Sequence, residues 1–107
     1  MFEVLRYQAA DDSEPISDWL RSLKDKRAQA RIRLRIQRVA AGNFGDCEPV
    51  GDGVLELREH FGPGYRVYLA QHGKLLVLLL CAGTKRTQSA DIRLAKAYWA
   101  DWKRRQP

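Results

Sequence analysis

The sequence predicts one α+β domain over residues 1–107, with elements in the order β-α-α-β-β-β-α. An N-terminal helical hairpin packs on a small, mostly antiparallel twisted sheet, and a C-terminal helix closes the chain. Three observations predict it. Apolar residues recur at helical spacing both near the start and at the end of the chain. Between these segments lie three short apolar runs separated by glycine-containing turns. The chain has 107 residues, 45% of them apolar, which is enough for one core and too short for two domains.

Phe2 to Tyr7 reads as a short strand, ended by the polar break Asp11-Asp12-Ser13. Ser13 or Asp12 can cap a first helix, Pro15 fits its first turn, and Ile16, Trp19, Leu20 and Leu23 follow at helical spacing. That helix stops near Lys24-Asp25. Asp25 is placed to cap a second, longer helix, in which Ala28, Ile32, Ile36, Val39 and Ala40 share a face before Gly42-Asn43 ends it. The stretch from Gly42 to Gly53, rich in Gly, Asn and Asp and containing Pro49, reads as a loop crossing to the sheet. Val54–His60 and Tyr65–Gln71 flank Gly62-Pro63-Gly64, and Lys74–Ala82 follows the His72-Gly73 turn, giving a three-stranded meander. In the last segment, Ser89–Arg104, Ile92, Ala95, Tyr98, Trp99 and Trp102 form one helical stripe, so these tryptophans, like Trp19, are expected in the core.

Several functional classes are set aside by the sequence. The longest apolar run, Leu75 to Ala82, is far short of the ~20 residues of a membrane-spanning helix. No charged leader with an apolar segment and cleavage site opens the chain, so a cytoplasmic location is expected. Cys47 and Cys81 have no spacing suited to zinc or redox work and are expected as free thiols. There is no phosphate-cradling glycine loop before a helix and no Gly-x-Ser-x-Gly elbow, and neither cofactor nor metal is expected.

Charge and register point to a candidate site. Nineteen Lys and Arg against thirteen Asp and Glu give a formal net charge of +6. The basic residues cluster between Lys24 and Arg38 and again at Lys103-Arg104-Arg105, which raises nucleic acid as a partner. On the second helix, Arg27, Arg31, Arg35 and Arg38 fall within about 80° of one another, a ridge of like charge suited to RNA or ribosomal phosphates. If Gly62-Pro63-Gly64 is a three-residue loop, Phe61 pairs with Tyr65, His60 with Arg66 and Arg58 with Tyr68. Leu55, Leu57 and Phe61 then share one face with Tyr65, Val67 and Leu69, while Glu56, Arg58, His60, Arg66 and Tyr68 share the other. Glu59 is the one misfit. Polar sheet faces are commonly just solvated. The stretch Gly83–Asp91 adds more, because Lys85 and Arg86 beside a helix start are suited to holding a phosphate.

The residues also resemble a known family. Ile16 to Leu23 with Asp25, Arg31-Ile32, Gly42-Asn43-Phe44-Gly45-Asp46, Gly53-Val54-Leu55-Glu56-Leu57-Arg58 and Gly62-Pro63-Gly64-Tyr65-Arg66-Val67-Tyr68 are similar to the toxins of the RelE/ParE superfamily. The nearest branch is the HigB-like group often labelled addiction-module killer proteins, and the similarity runs on through Lys85, Gln88, Asp91-Ile92 and Ala95. The resemblance implies the toxin of a type II toxin–antitoxin pair, neutralised by a helix-turn-helix antitoxin encoded beside it, that cleaves messenger RNA on the ribosome. It further implies that Arg66 holds the scissile phosphate, that Arg58 occupies a strand position used for basic catalytic side chains, and that Arg86 is a second phosphate-binding arginine. Lys85, Gln88 and Asp91 match the branch's motif after the last strand. Ile92 stands where RelE has a catalytic tyrosine, so that role is vacant here or passes to Tyr68, His60 or Asp91, and His60, Asp91 and Lys85 are the candidate bases. The branch's usual Gly-Gly-Asp-Lys stretch is here Ala82-Gly83-Thr84-Lys85, with one acid fewer. The superfamily also contains ParE-like toxins that inhibit DNA gyrase by binding, and a non-toxic basic nucleic-acid-binding domain is the third reading.

Overall fold

The computed structural model describes all 107 residues. The chain runs β1 (Glu3–Arg6), α1 (Pro15–Ser22), α2 (Lys26–Ala40), β2 (Cys47–Gly51), β3 (Val54–Glu59), β4 (Tyr65–His72), β5 (Leu76–Thr84), a short 3-10 turn (Lys85–Thr87) and α3 (Gln88–Arg104). The five strands lie in the order β1-β5-β4-β3-β2, with β1 parallel to β5 and every other pair antiparallel. No helix is long and apolar enough to cross a membrane.

Side-chain alternation in the central strands builds two cores, one on each face of the sheet. Ile16 and Leu20 of α1 and Ala28, Ile32 and Val39 of α2 pack on Leu57, Val67, Leu69, Val77 and Leu79. On the other face, Ala95 and Trp99 of α3 pack on Val54, Tyr68, Ala70, Leu78 and Leu80. Because β4 as far as Ala70 and most of β5 are covered on both sides, their buried stretches are apolar apart from Arg66 rather than alternating. Both cysteines are free, Cys81 in the α3-side core and Cys47 half-buried on the other.

The helix starts follow capping chemistry. The Asp25 carboxylate accepts the amides of Arg27 and Ala28, at 3.0 and 3.2 Å, as the sequence predicts. At α1 the capping position falls on Glu14 instead of Ser13 or Asp12, with Pro15 at the first helical position. Asp11 spends its carboxylate on the amide and hydroxyl of Ser13, closing a local turn before the helix, and those bonds hold it below the usual carboxylate range.

Two further sequence-based expectations are corrected. Cys47–Gly51, within the stretch read as a loop, is a fifth strand paired antiparallel with β3. Pro49 is tolerated there because β2 is an edge, and the ladder shifts register between Pro49 and Gly51. The β3–β4 pairing is displaced by two residues from the expected one: Glu59 lies opposite Tyr65, Arg58 opposite Arg66 and Glu56 opposite Tyr68. The connection is thus five residues long, His60 to Gly64, with Gly62 and Gly64 at φ +56° and +77°. Phe61 leaves the ladder to pack beside Tyr65, ring centroids 5.2 Å apart, under the Arg31 guanidinium. A slip of two preserves the faces, so the division into an apolar and a polar side holds.

Candidate functional site

Glu56 and Arg58 of β3 and Arg66 and Tyr68 of β4 lie on the α3 side, toward the end of the sheet where α3 begins. A bulge in β5 sets which residue meets them. Tyr68 pairs with Cys81 and Leu69 with Leu79, leaving Leu80 as an extra residue. Side-chain parity is reset there, so Gly83 stands on the α3 side beside Arg66. Gly83 must lack a side chain, because a Cβ would collide with the Asp91 carboxylate and crowd the Thr87 hydroxyl. That contact brings the first turn of α3 down onto the site.

Arg66 is its centre. It is 6% exposed, its Nη1 donates to its neighbour's carbonyl, Tyr65 O, at 3.2 Å, and its Nε is buried with no partner. It joins none of the ion pairs of the protein. A guanidinium held this way has no carboxylate to offset its charge and keeps donors that its own fold does not use. Lys85 flanks it: a Cβ on Gly64 would lie 3.4 Å from the Lys85 Cβ and 3.6 Å from Arg66 Nη1, so both side chains border one small space. The Lys85 amide donates to Gly64 O at 2.8 Å and fixes that approach. Arg86 is exposed on the same 3-10 turn, with no hydrogen bond from its side chain.

Arg58, directly opposite Arg66, is a like charge that must be compensated. Asp46 supplies it, Oδ1 accepting from Arg58 Nη2 at 3.0 Å and Nε at 3.3 Å, and Glu48 adds a contact at 3.3 Å. The Asp46 hydrogen bond raises the pKa of Arg58 above its ordinary value. The other Asp46 oxygen lies 2.6 Å from His60 Nε2. Hydrogen bonds from His60 first and Arg58 second hold the Asp46 carboxyl below the usual carboxylate range. Against the Asp46 carboxylate, Nε2 is the ring nitrogen placed to donate, so in the neutral form of the ring the acceptor is Nδ1.

Behind these cations lies a buried polar network. Glu56, 2% exposed, accepts the Tyr68 hydroxyl at 2.9 Å and the Gln88 amide at 2.8 Å. Burial, and then the Glu56 bond, drive the Tyr68 phenol well above its ordinary pKa. Tyr68 is fully buried, and its hydroxyl anchors the Glu56 carboxylate. Asp91 accepts the Thr87 hydroxyl at 2.5 Å, and its contact with Gly83 makes it a shaper of the α3 start.

The arginine ridge expected on α2 is broken. Arg27, Arg31 and Arg38 are exposed, and the Arg31 guanidinium stacks over the Phe61 ring at 3.7 Å. Arg35 is 7% exposed and turned inward. Its Nη1 donates to Arg58 O and Glu59 Oε1, both at 2.9 Å, and its Nη2 donates to Phe44 O at 2.8 Å and Asp46 O at 2.9 Å. Arg35 is therefore withdrawn from the expected phosphate-binding set. It lies between Ile32 and Val39 on the buried stripe, and the misfit acid of the strand, Glu59, is its partner.

A protein of Haemophilus influenzae (strain ATCC 51907 / DSM 11121 / KW20 / Rd), described as "Uncharacterized protein", is 54% identical over 78 residues, which make up 73% of this chain and 79% of that protein. The chain belongs to the same family. No protein-family model matches the chain.

The structure thus gathers Arg66, Lys85, Arg58, His60 and Asp91 at one end of the sheet, with Arg86 on the adjoining turn. The sequence alone reveals neither the part played by Asp46 nor the inward turn of Arg35. One signal for the second is present in it: a charged residue on each of two apolar faces, Arg35 on the helix and Glu59 on the strand, is a complementary pair.

Proposed function

We propose that this protein is a toxin of the RelE/ParE superfamily, HigB-like branch, acting in the cytoplasm with an adjacently encoded helix-turn-helix antitoxin. Its reaction is metal-independent cleavage of messenger RNA on the ribosome. The ribose 2′-oxygen attacks the adjacent phosphorus as its proton passes to a base. The 5′-oxygen leaves with a proton from an acid, giving a cyclic phosphate and a free 5′-hydroxyl.

The observation that carries this reading is Arg66, a buried guanidinium with no acid partner, opposite Arg58 and beside Lys85. Arg66 supplies charge to the phosphorane, and Arg58, Lys85 and Arg86 add positive potential around it. His60, its tautomer set by Asp46, presents Nδ1 for proton transfer. Further support comes from the element order, with two helices ahead of the meander, one after it, and β2 as an added edge.

Arg66→Ala tests the reading. It removes one protein hydrogen bond and an unpaired charge, so folding and antitoxin binding are retained while growth arrest and new transcript 5′ ends disappear. A fully toxic Arg66→Ala overturns it. Growth arrest by the parent protein without new 5′ ends on primer extension points instead to a ParE-like gyrase inhibitor, and no arrest at all to a nucleic-acid-binding accessory domain.

A further inference from the structure

We infer that Arg35 is a positioning residue that sets the aim of Arg58 and His60. Its catalytic consequence rests on the RNA-cleavage reading, but its geometry does not. The four terminal N–H groups of the Arg35 fork meet four acceptors: Arg58 O, Glu59 Oε1, Phe44 O and Asp46 O. Three are main-chain carbonyls, and two of those belong to Arg58 and Asp46, whose side chains meet at 3.0 Å. The Arg58 amide also donates to Asp46 O at 3.0 Å. One guanidinium therefore locks the backbones of both residues, and the Asp46 carboxylate transmits that lock to the Arg58 guanidinium and the His60 ring.

The loop is built around this fork. Gly45 has φ +62°, and a Cβ there would stand 3.0 Å from Arg35 Nη2. A side chain at 45 would push the loop off the fork. Lysine at 35 keeps the charge toward Glu59 but presents one ammonium where the site uses two separated nitrogens in a plane. A plain staple of α2 to the sheet would need the Glu59 pair alone. The bonds to Phe44, Asp46 and Arg58 exceed that need and converge on the segments that hold the cations.

The experiment uses the full chain with Arg35→Lys and Gly45→Ala, the second because a buried lysine can cost the fold. Folding is checked by circular dichroism and backbone amide NMR. The side-chain Nε–Hε signal of Arg58 and the ring signals of His60 are then recorded. Positioning predicts that either folded variant moves the Arg58 signal to that of a free arginine and shifts the His60 ring. Unchanged Arg58 and His60 signals in a folded variant overturn the inference. RNA cleavage is measured in parallel, with a fall in kcat on the order of ten- to a hundredfold and little change in KM. If the parent protein cuts no RNA, the proposed function fails while the NMR arm still decides Arg35.

Discussion

Arg66 sits at an energetic disadvantage. An interior guanidinium with an orphan Nε and no carboxylate partner destabilises a fold, and a sequence selected for stability alone would place an apolar residue there. Asp46 is the opposite kind of residue, its charge compensated twice, by His60 and Arg58. Because its folded pKa lies below its unfolded value, its contribution to stability is fully present above about pH 3.9 and is lost as pH falls through the folded pKa. Thermal melts of the parent and Asp46→Asn taken down the acid range should therefore show a difference in Tm that shrinks as pH drops. A difference that stays constant would mean that the Asp46 contacts do not discriminate between its charged and neutral forms. Asp11 and Asp101 are also depressed, and the comparison cancels them.

At the scale of elements, helical periodicity and capping chemistry are legible in the sequence because they are local. Asp25 shows this: its carboxylate takes two orphan amides of α2, and Asp25→Ala should lower stability by about 1 kcal/mol in a denaturant titration. A change under a few tenths of that would show that tertiary packing alone holds the start of α2. The polar face of the hairpin is legible too, since parity survives a slip of two. The register itself is not, because the glycines alone suggest a shorter turn, while Tyr65 and Arg31 draw Phe61 out of the ladder. β2 is hidden for a related reason. Gly, Asp and Pro describe what an edge strand tolerates as well as what a loop contains, and only its partner β3 separates the two. Arg35 escapes a helical wheel because the wheel shows which side a residue faces but not how far a buried acid on another element can draw it inward.

At the scale of the molecule, the sheet separates two tasks. The α1–α2 side is scaffold, while the α3 side carries both a core and the polar end with Arg66. Arg27 and Arg38, the two ridge arginines with neither an ion pair nor a stacked ring, lie outside that end and suit long-range attraction to nucleic acid. Charge reversal at both should weaken ribosome co-sedimentation and reduce the slope of log affinity against log salt by about 0.9 for each phosphate no longer neutralised. Sedimentation with an unaltered salt slope would assign the helix no part in RNA binding. Arg31, stacked on Phe61, is unsuited to that test because its removal would also disturb the hairpin.

The bulge at Leu80 gives the chain one residue of slack ahead of the site and none behind it. Excision of Leu80 would heal β5 into a regular ladder without reversing either flank, since Leu79 and Cys81 already point to opposite sides. Deleting Gly83 keeps Lys85 and Arg86 on their side only by consuming the bulge, which swings Cys81 and Ala82 each to the opposite face and sets the Ala82 side chain where Gly83 stood, against the Asp91 carboxylate. Length variation in this strand can therefore be absorbed upstream of Cys81, whereas the spacing from there to α3 is rigidly counted.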